Sequence, residues 1–308
     1  MCIAVSGFSV AVDTLPVVIS PFLGSEALAS RMLTRHMMRT RYAPIYPDVY
    51  LPRNTEVNAV VRAQAAWLWM RRRGAVTGCS AAALHGAKWV DGRRPAQVLC
   101  GVRRSPVGIE AWLGAVAEDE LTVVRDIVVT TPERTALDIG CRDPVDVAVA
   151  AIDALARATR IKIADVVLLA EKHKGMRGVR QARTVLALAD PGAESPRETW
   201  LRLLVIRGGF PAPRTQIRVH DGYGVLVAIL DMGWEHLKIA LDCEGDHHRT
   251  DRRQFNHDIR RAEALRELGW IQIRVTVEDT QGGILHRVGQ AFARRECKQG
   301  GESRDSPP

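Results

Sequence analysis

Two apolar runs decide the fold of the C-terminal part of this chain: Val225-Leu-Val-Ala-Ile-Leu-Asp231 and Lys238-Ile-Ala-Leu-Asp-Cys-Glu-Gly-Asp-His-His248. Both deliver carboxylates, Asp231 from the first run and Asp242 and Glu244 from the second. Residues two apart on an extended strand project from the same face, so we expect Asp242 and Glu244 to lie on one side. Crowded carboxylates repel unless a cation neutralises them, and hard cations prefer oxygen ligands. The stretch therefore predicts a site for Mg²⁺, with Mn²⁺ as an alternative.

The residues around these runs predict a hairpin, a helix and a further strand. Residues 226–231 and 237–241 are apolar enough for two strands, and an antiparallel hairpin is their simplest connection. A helix is expected over residues 258–268, and residues 271–275 alternate as a half-buried strand. We expect the acids of the two runs to converge at one edge of the resulting sheet.

A helix start precedes the two runs, at Ser195-Pro-Arg-Glu198. Ser at the cap, Pro at the first helical position and Glu at the third form a capping box. Two interpretations of Glu198 stay open: it completes this cap, or it is a further acid beside the metal or its water.

In sequence, residues 194–275 resemble the domain of unknown function related to very short patch repair endonucleases, within the PD-(D/E)XK nuclease superfamily. The resemblance rests on Ser195-Pro-x-Glu198, Asp231, Asp242-x-Glu244-Gly245-x-x-His248 and Asp258-x-x-Arg261. It implies a metal-dependent DNA endonuclease or nickase, in which His248 is suited to proton transfer. The catalytic residues that it implies are Glu198, Asp231, Asp242, Glu244 and His248, with Asp231 and Glu244 as metal ligands.

The chain departs from the superfamily pattern at two points. The superfamily's Lys, two positions after an acid, is replaced by Glu244 counted from Asp242. Relatives usually carry Glu and then Asp where this chain has Asp242 and Glu244, and the exchange moves each carboxylate by about one methylene. A second function therefore stays open: a non-catalytic DNA-binding regulator or antitoxin with a degenerate nuclease-like domain.

Arginines follow the second run and predict contacts to DNA phosphates, unless they form only a solvated helix face. The residues assigned to this contact are Arg249, Arg252, Arg253 and Arg261.

Residues 25–57 predict a winged helix: two short helices, the second capped by Thr34, and then a small strand at residues 49–51. Pro44 and Pro47 are expected to stop the second helix. Its arginines, Arg35, Arg39 and Arg41, contact DNA if this is a recognition helix. A solvated basic face or a protein docking module is the open alternative.

The middle region carries the motif Thr131-Pro-Glu-Arg-Thr-Ala-Leu-Asp138, which predicts a passage from strand to helix. Arg134 and Asp138 are expected to form a helix ion pair worth a few tenths of a kcal/mol, roughly. Residues 25 to about 140 are similar to AbiEi-type antitoxins, which join an N-terminal winged helix to an α/β module. This resemblance implies autoregulation through the winged helix and a cognate toxin protein as a partner.

Taken together, these segments predict an α/β (α+β) protein of 308 residues with several domains. The predicted divisions are an N-terminal arm (1–24), the winged helix (25–57), a middle α/β and helical region (58–190), a restriction-endonuclease-like α/β domain with a mixed central sheet (191–297) and a disordered tail (298–308).

The net charge and the spacing of the cysteines limit the partners and the cellular compartment that we expect. The net charge of +8 fits a polyanionic partner such as DNA. Six scattered cysteines with no CxxC pair favour a reducing cytoplasmic location over a disulfide framework or a zinc site. No apolar run approaches the length of a membrane span, so no membrane partner is expected.

Overall fold

The computed structural model describes residues 20–102, 104–244 and 252–302, with the backbone alone for residues 252–258 and 298–302. The described residues form eleven α-helices and three sheets. This mixed architecture confirms the predicted α/β (α+β) class.

The N-terminal part is a pair of short helices against a three-stranded sheet. Thr34 caps the second helix by accepting a hydrogen bond from the backbone N–H of Met37 at 3.2 Å. This helix ends at Arg41, and Pro44 lies within a strand that was not predicted. The strand tolerates Pro44 because it forms an edge of the sheet, whose order is β1-β3-β2. The elements are β1 (Phe22–Leu23), α1 (Gly24–Ala29), α2 (Arg35–Arg41), β2 (Tyr42–Tyr46) and β3 (Val49–Pro52).

The middle part combines a mixed five-stranded sheet with helices. Its sheet order is β6-β5-β4-β8-β7, with β4–β8 and β5–β6 parallel and the other pairs antiparallel. The elements are α3 (Ala59–Trp69), β4 (Ala75–Val76), α4 (Gly78–Leu84), β5 (Ala96–Leu99), β6 (Ile109–Trp112), β7 (Leu121–Val124), β8 (Ile127–Thr130), α5 (Pro132–Arg142), α6 (Val145–Thr159), α7 (Ile163–Lys172) and α8 (Val179–Leu188).

The pair Arg134–Asp138 is buried, contrary to the expectation of an exposed helix pair. Arg134 Nε donates to Asp138 at 3.0 Å, and the same guanidinium also donates to Glu120. Asp138 accepts from Thr77 at 2.6 Å, and Glu120 accepts from His173 at 2.6 Å. Arg134 and Asp138 are each only 3% exposed, so this pair does not lie on a solvated helix face.

The C-terminal part is a mixed four-stranded sheet with order β12-β11-β10-β9. The predicted antiparallel hairpin is confirmed as β10 and β11, and β12 runs parallel to β11. The elements are α9 (Pro196–Arg207), β9 (Arg214–His220), β10 (Leu226–Trp234), β11 (Ile239–Cys243), α10 (Arg252–Glu267), β12 (Ile271–Val275) and α11 (Gln281–Glu302). Helix α11 continues into the segment 298–308, for which disorder was predicted, and residues 303–308 lie outside the described residues.

Helix α9 joins the middle core to the C-terminal core. Leu203 packs with α5, α6 and α8, whereas Leu201 and Val205 pack with β10, β11 and α11. Thr199 and Arg202 donate to the buried carboxylate of Asp153 on α6 at 2.8 and 2.9 Å. The N-terminus of α9 is therefore held from both sides. None of the helices described is both long and apolar enough to span a membrane.

Candidate metal centre

Asp231 on β10 and Asp242 on β11 face each other across the hairpin. The carboxylate of Asp231 accepts a hydrogen bond from the backbone N–H of Cys243 at 2.7 Å. The carboxylate of Asp242 accepts one from the backbone N–H of Asp231 at 3.1 Å. Each side chain therefore bridges to the strand that carries the other, and the two acids lie side by side.

The register of the hairpin sets this arrangement. Met232 pairs with Leu241 in this antiparallel hairpin. Asp231, which precedes Met232, therefore lies opposite Asp242, which follows Leu241. The strands approach closely at Gly233, where a Cβ atom would lie 2.1 Å from the carbonyl oxygen of Ile239. Glycine at this position is therefore required for the register that juxtaposes the acids.

The environment of Asp231 opposes its negative charge. Burial raises its pKa, the neighbouring charge of Asp242 raises it further, and Glu198 adds to the effect. The hydrogen bond from Cys243 and the charge of Arg261 act in the opposite direction, and the resulting pKa is about 7. A carboxylate in this state gains from a cation or a proton at neutral pH.

Asp242 is buried and has two further neighbours. Gln272 on β12 donates to its carboxylate at 2.6 Å. Arg261 on α10 lies 3.8 Å from the same carboxylate and donates to the backbone carbonyl of Ile229 at 2.7 Å. Arg261, predicted to contact DNA phosphates, is thus directed against the sheet and supplies positive charge beside the acids.

Glu198 forms the predicted capping box. Its backbone N–H donates to the Ser195 hydroxyl at 3.2 Å, and its carboxylate accepts from that hydroxyl and from the Glu194 backbone N–H, both at 2.8 Å. Burial raises the pKa of Glu198, and its charge in turn raises the pKa of Asp231. Glu198 is therefore both a cap and an electrostatic neighbour of Asp231.

Glu244 takes no part in the hydrogen bonds that join the two aspartates. It follows β11 and forms an ion pair with Arg274 on β12 at 3.1 Å. Lys238, the lysine nearest the motif, donates to the backbone carbonyl of Leu268, beyond the far end of α10. The predicted metal pair was Asp231 with Glu244, whereas the structure brings Asp231 together with Asp242.

Four predicted site residues have no described side chain. His248 and Arg249 lie outside the described residues, and Arg252 and Arg253 begin α10 with only their backbone described.

The two aspartates are the described acids that could hold a hard divalent cation. They present adjacent carboxylates, and Arg261 is the only counter-charge recorded within 4 Å of either of them in the described residues. Mg²⁺ is commonly held by one or two carboxylates together with water molecules. Within the described ranges no three His, Cys, Asp or Glu side chains are grouped as metal ligands, so the candidate set is this pair.

The exposed arginines of α2 form a separate basic surface. Arg35, Arg39 and Arg41 are exposed, and Met38 on the opposite side is buried. None of these three guanidinium groups is paired with an acid in the described part of the chain. They lie on the second of the two short N-terminal helices.

Gln272 is a contact of Asp242 that the sequence analysis missed. It lies in a strand whose alternation was recognised, but the partner of a polar residue depends on the parallel register, in which Ala240 pairs with Gln272. The alternation placed Gln272 on the polar side of the strand with Arg274, so the sequence carried no signal for this contact.

Comparison with known proteins finds relatives of low sequence identity. No family model matches the chain. An uncharacterized protein of Mycobacterium tuberculosis, Rv2248 in strain ATCC 25618 / H37Rv and MT2308 in strain CDC 1551 / Oshkosh, is 29% identical over 168 residues. The alignment covers 54% of this chain and 62% of those proteins, so the chain spans less than two thirds of the relatives it matches.

Proposed function

We propose that this protein binds DNA and hydrolyses its phosphodiester bonds with a divalent cation held by Asp231 and Asp242. The observation that carries the proposal is the reciprocal pairing of these carboxylates, together with the raised pKa of Asp231. Arg261, at 3.8 Å from Asp242, is the one basic side chain recorded beside the two acids in the described residues. Two adjacent acids with one shared counter-charge suit a divalent cation.

The protein's own groups have distinct tasks in this proposal. Asp231 and Asp242 would hold Mg²⁺ or Mn²⁺, which when bound supplies Lewis-acid stabilisation of a phosphate and lowers the pKa of a coordinated water. Arg261 limits the repulsion between the two carboxylates. The charge of Glu198 raises the pKa of Asp231, and this favours binding of a cation at that carboxylate. Gln272 fixes the orientation of Asp242 through its hydrogen bond.

DNA contact is assigned to the basic surface of α2. Arg35 and Arg39 are four residues apart, so they project from one side of the helix. Their exposed guanidinium groups suit backbone phosphates, and the net charge of +8 favours approach to DNA.

A second candidate is a non-catalytic DNA-binding regulator of AbiEi type with a cognate toxin as its partner. The observation that favours it is Glu244, which occupies the position of the superfamily's Lys and forms an ion pair with Arg274. Lys238, the lysine nearest the motif in sequence, donates to the backbone carbonyl of Leu268 and not to either aspartate. A site that lacks the positive charge of the superfamily's Lys could bind metal and DNA without cleaving the DNA.

Cleavage of supercoiled plasmid in Mg²⁺ or Mn²⁺ tests the proposal. We expect nicking by the wild-type protein that Asp231→Asn and Asp242→Asn abolish and that Glu235→Gln, a matched change at an exposed acid, preserves. No metal-dependent nicking, with DNA still shifted in a salt-sensitive gel assay, contradicts catalysis and supports the regulator. Nicking that survives in both aspartate variants comes from another site or from a contaminant.

A further inference from the structure

A cleft of about 620 Å³ lies between the end of α10, the start of β12 and the later turns of α11. Its volume is within the range of small-molecule sites. Three guanidinium groups line it together with an indole ring and two aliphatic side chains. These residues are Arg266, Trp270, Ile271, Ala293, Arg294 and Arg295.

Arg295 is fixed in the wall of this cleft. It donates to the backbone carbonyls of Gly269 and Lys238, the latter at 3.2 Å. Both acceptors lie at chain turns, and Gly269 ends α10 with a left-handed conformation (φ +81°). A positive charge is therefore held rigidly at one side of the cleft.

Arg266 and Arg294 stand at the cleft with exposed side chains. In the described part of the chain, neither guanidinium forms an ion pair or a side-chain hydrogen bond. By contrast, Arg274 and Arg287 in the same domain are both paired with acids. The cleft thus gathers positive charge that the described residues leave uncompensated.

We propose that this cleft binds a nucleoside phosphate, with the phosphate between Arg266 and Arg294 and the base against Trp270 and Ile271. Arginine suits phosphate oxygens because its planar fork donates two parallel hydrogen bonds. A nucleobase stacks on tryptophan, and this contact is tolerant of base identity. A bare phosphate would leave the apolar wall of Trp270, Ile271 and Ala293 uncovered.

The cleft is separate from the candidate metal centre. Ile271 pairs with Ile239 at the start of the two parallel strands, whereas Asp242 lies three residues further along β11. Three residues of strand span about 10 Å. The inference does not depend on the proposed hydrolysis, and its test can be performed without metal.

The test is calorimetric titration of the full chain with AMP in EDTA, beside the double variant Arg266→Gln/Arg294→Gln. We expect saturable binding that weakens at least tenfold in this variant. The matched control Arg177→Gln/Arg180→Gln removes two exposed arginines outside the cleft and should bind like the wild type. Asp231→Asn should also bind AMP normally, which separates this inference from the proposed function.

Further titrations identify the form of the ligand. Binding that also weakens in Trp270→Ala, with an unchanged far-ultraviolet circular dichroism spectrum, supports stacking of the base. A single-stranded oligonucleotide with a 5′ phosphate should compete with AMP if the ligand is the end of a strand, and should fail to compete if it is a free nucleotide. No saturable binding, equal losses in both double variants, or equal affinity for inorganic phosphate would each overturn the inference.

Discussion

The carboxylates of Asp231 and Asp242 are locked in place reciprocally, because each accepts a hydrogen bond from the backbone of the other's strand. Neither side chain can turn away from the other without leaving a backbone N–H unsatisfied. The repulsion between the two charges is therefore a property of the folded state, and it disappears when the chain unfolds.

Replacing Asp231 with asparagine should stabilise the metal-free protein at alkaline pH. The pKa of Asp231 rises from 3.8 to about 7 on folding. The stabilisation that its protonated form contributes is therefore fully present below pH 3.8 and is lost progressively as the pH rises to 7. Asparagine keeps the acceptor for Cys243 without the charge. We expect a gain on the order of 2–4 kcal/mol at pH 8.5 and little difference at pH 4, measured by urea unfolding in EDTA.

The control for this change is Asp221→Asn, in a turn that faces solvent. It should not reproduce the alkaline gain. A wild-type protein that is as stable as Asp231→Asn at pH 8.5 would show that burial and the charge of Asp242 together do not destabilise the Asp231 carboxylate in the folded state.

The double variant Arg35→Gln/Arg39→Gln should weaken DNA binding without affecting the fold. Loss of two phosphate contacts reduces the slope of log K against log salt by about 2 and weakens binding roughly tenfold or more near 0.1 M salt. Fluorescence anisotropy at several salt concentrations measures both quantities. Equal affinity in this variant and in Arg177→Gln/Arg180→Gln would place the DNA contact elsewhere.

Replacing Arg134 with methionine should destabilise the middle part strongly. The change leaves the buried carboxylates of Glu120 and Asp138 without their shared counter-charge, a loss of about 3–5 kcal/mol. Urea unfolding at pH 7 gives the value. A cost below 1 kcal/mol would mean that water reaches the pair and that the pair behaves as an exposed helix pair.

Glutamine at position 198 separates the two roles of Glu198. Its side-chain oxygen can still serve the cap, so the cost in stability should be about 1 kcal/mol or less. Removing the negative charge should, however, lower the pKa of Asp231, for which Glu198 is a raising influence. Carbon-detected titration of the aspartate carboxyls measures this shift, and an unchanged pKa would reduce Glu198 to a cap.

Local sequence patterns predicted the secondary-structure elements of the candidate site. The register between strands determines which acids lie together in it. The capping box at Ser195 and the hairpin of β10 and β11 follow from residues close in sequence. The choice of Asp242 over Glu244 as the neighbour of Asp231 does not, since it depends on the hairpin register. The ion pair of Glu244 with Arg274 depends in addition on the parallel pairing of β11 with β12.

Two other features could not be predicted from local sequence patterns. Arg134 and Asp138 carry a spacing typical of an exposed helix pair, and only the tertiary structure shows that both side chains are buried. Arg266 and Arg294 lie on different helices, so their approach to one cleft has no sequence signal.

Calorimetric titration with Mn²⁺ and Mg²⁺ tests the central claim, that Asp231 and Asp242 form one cation site. We expect one binding site per chain, release of a proton when binding is measured near pH 6.5, and affinity that falls at lower pH because Asp231 becomes protonated. Asp231→Asn and Asp242→Asn should each weaken binding at least tenfold, and Glu235→Gln should not. Equal affinity in the wild type and both aspartate variants, or no heat with either metal, would contradict the claim.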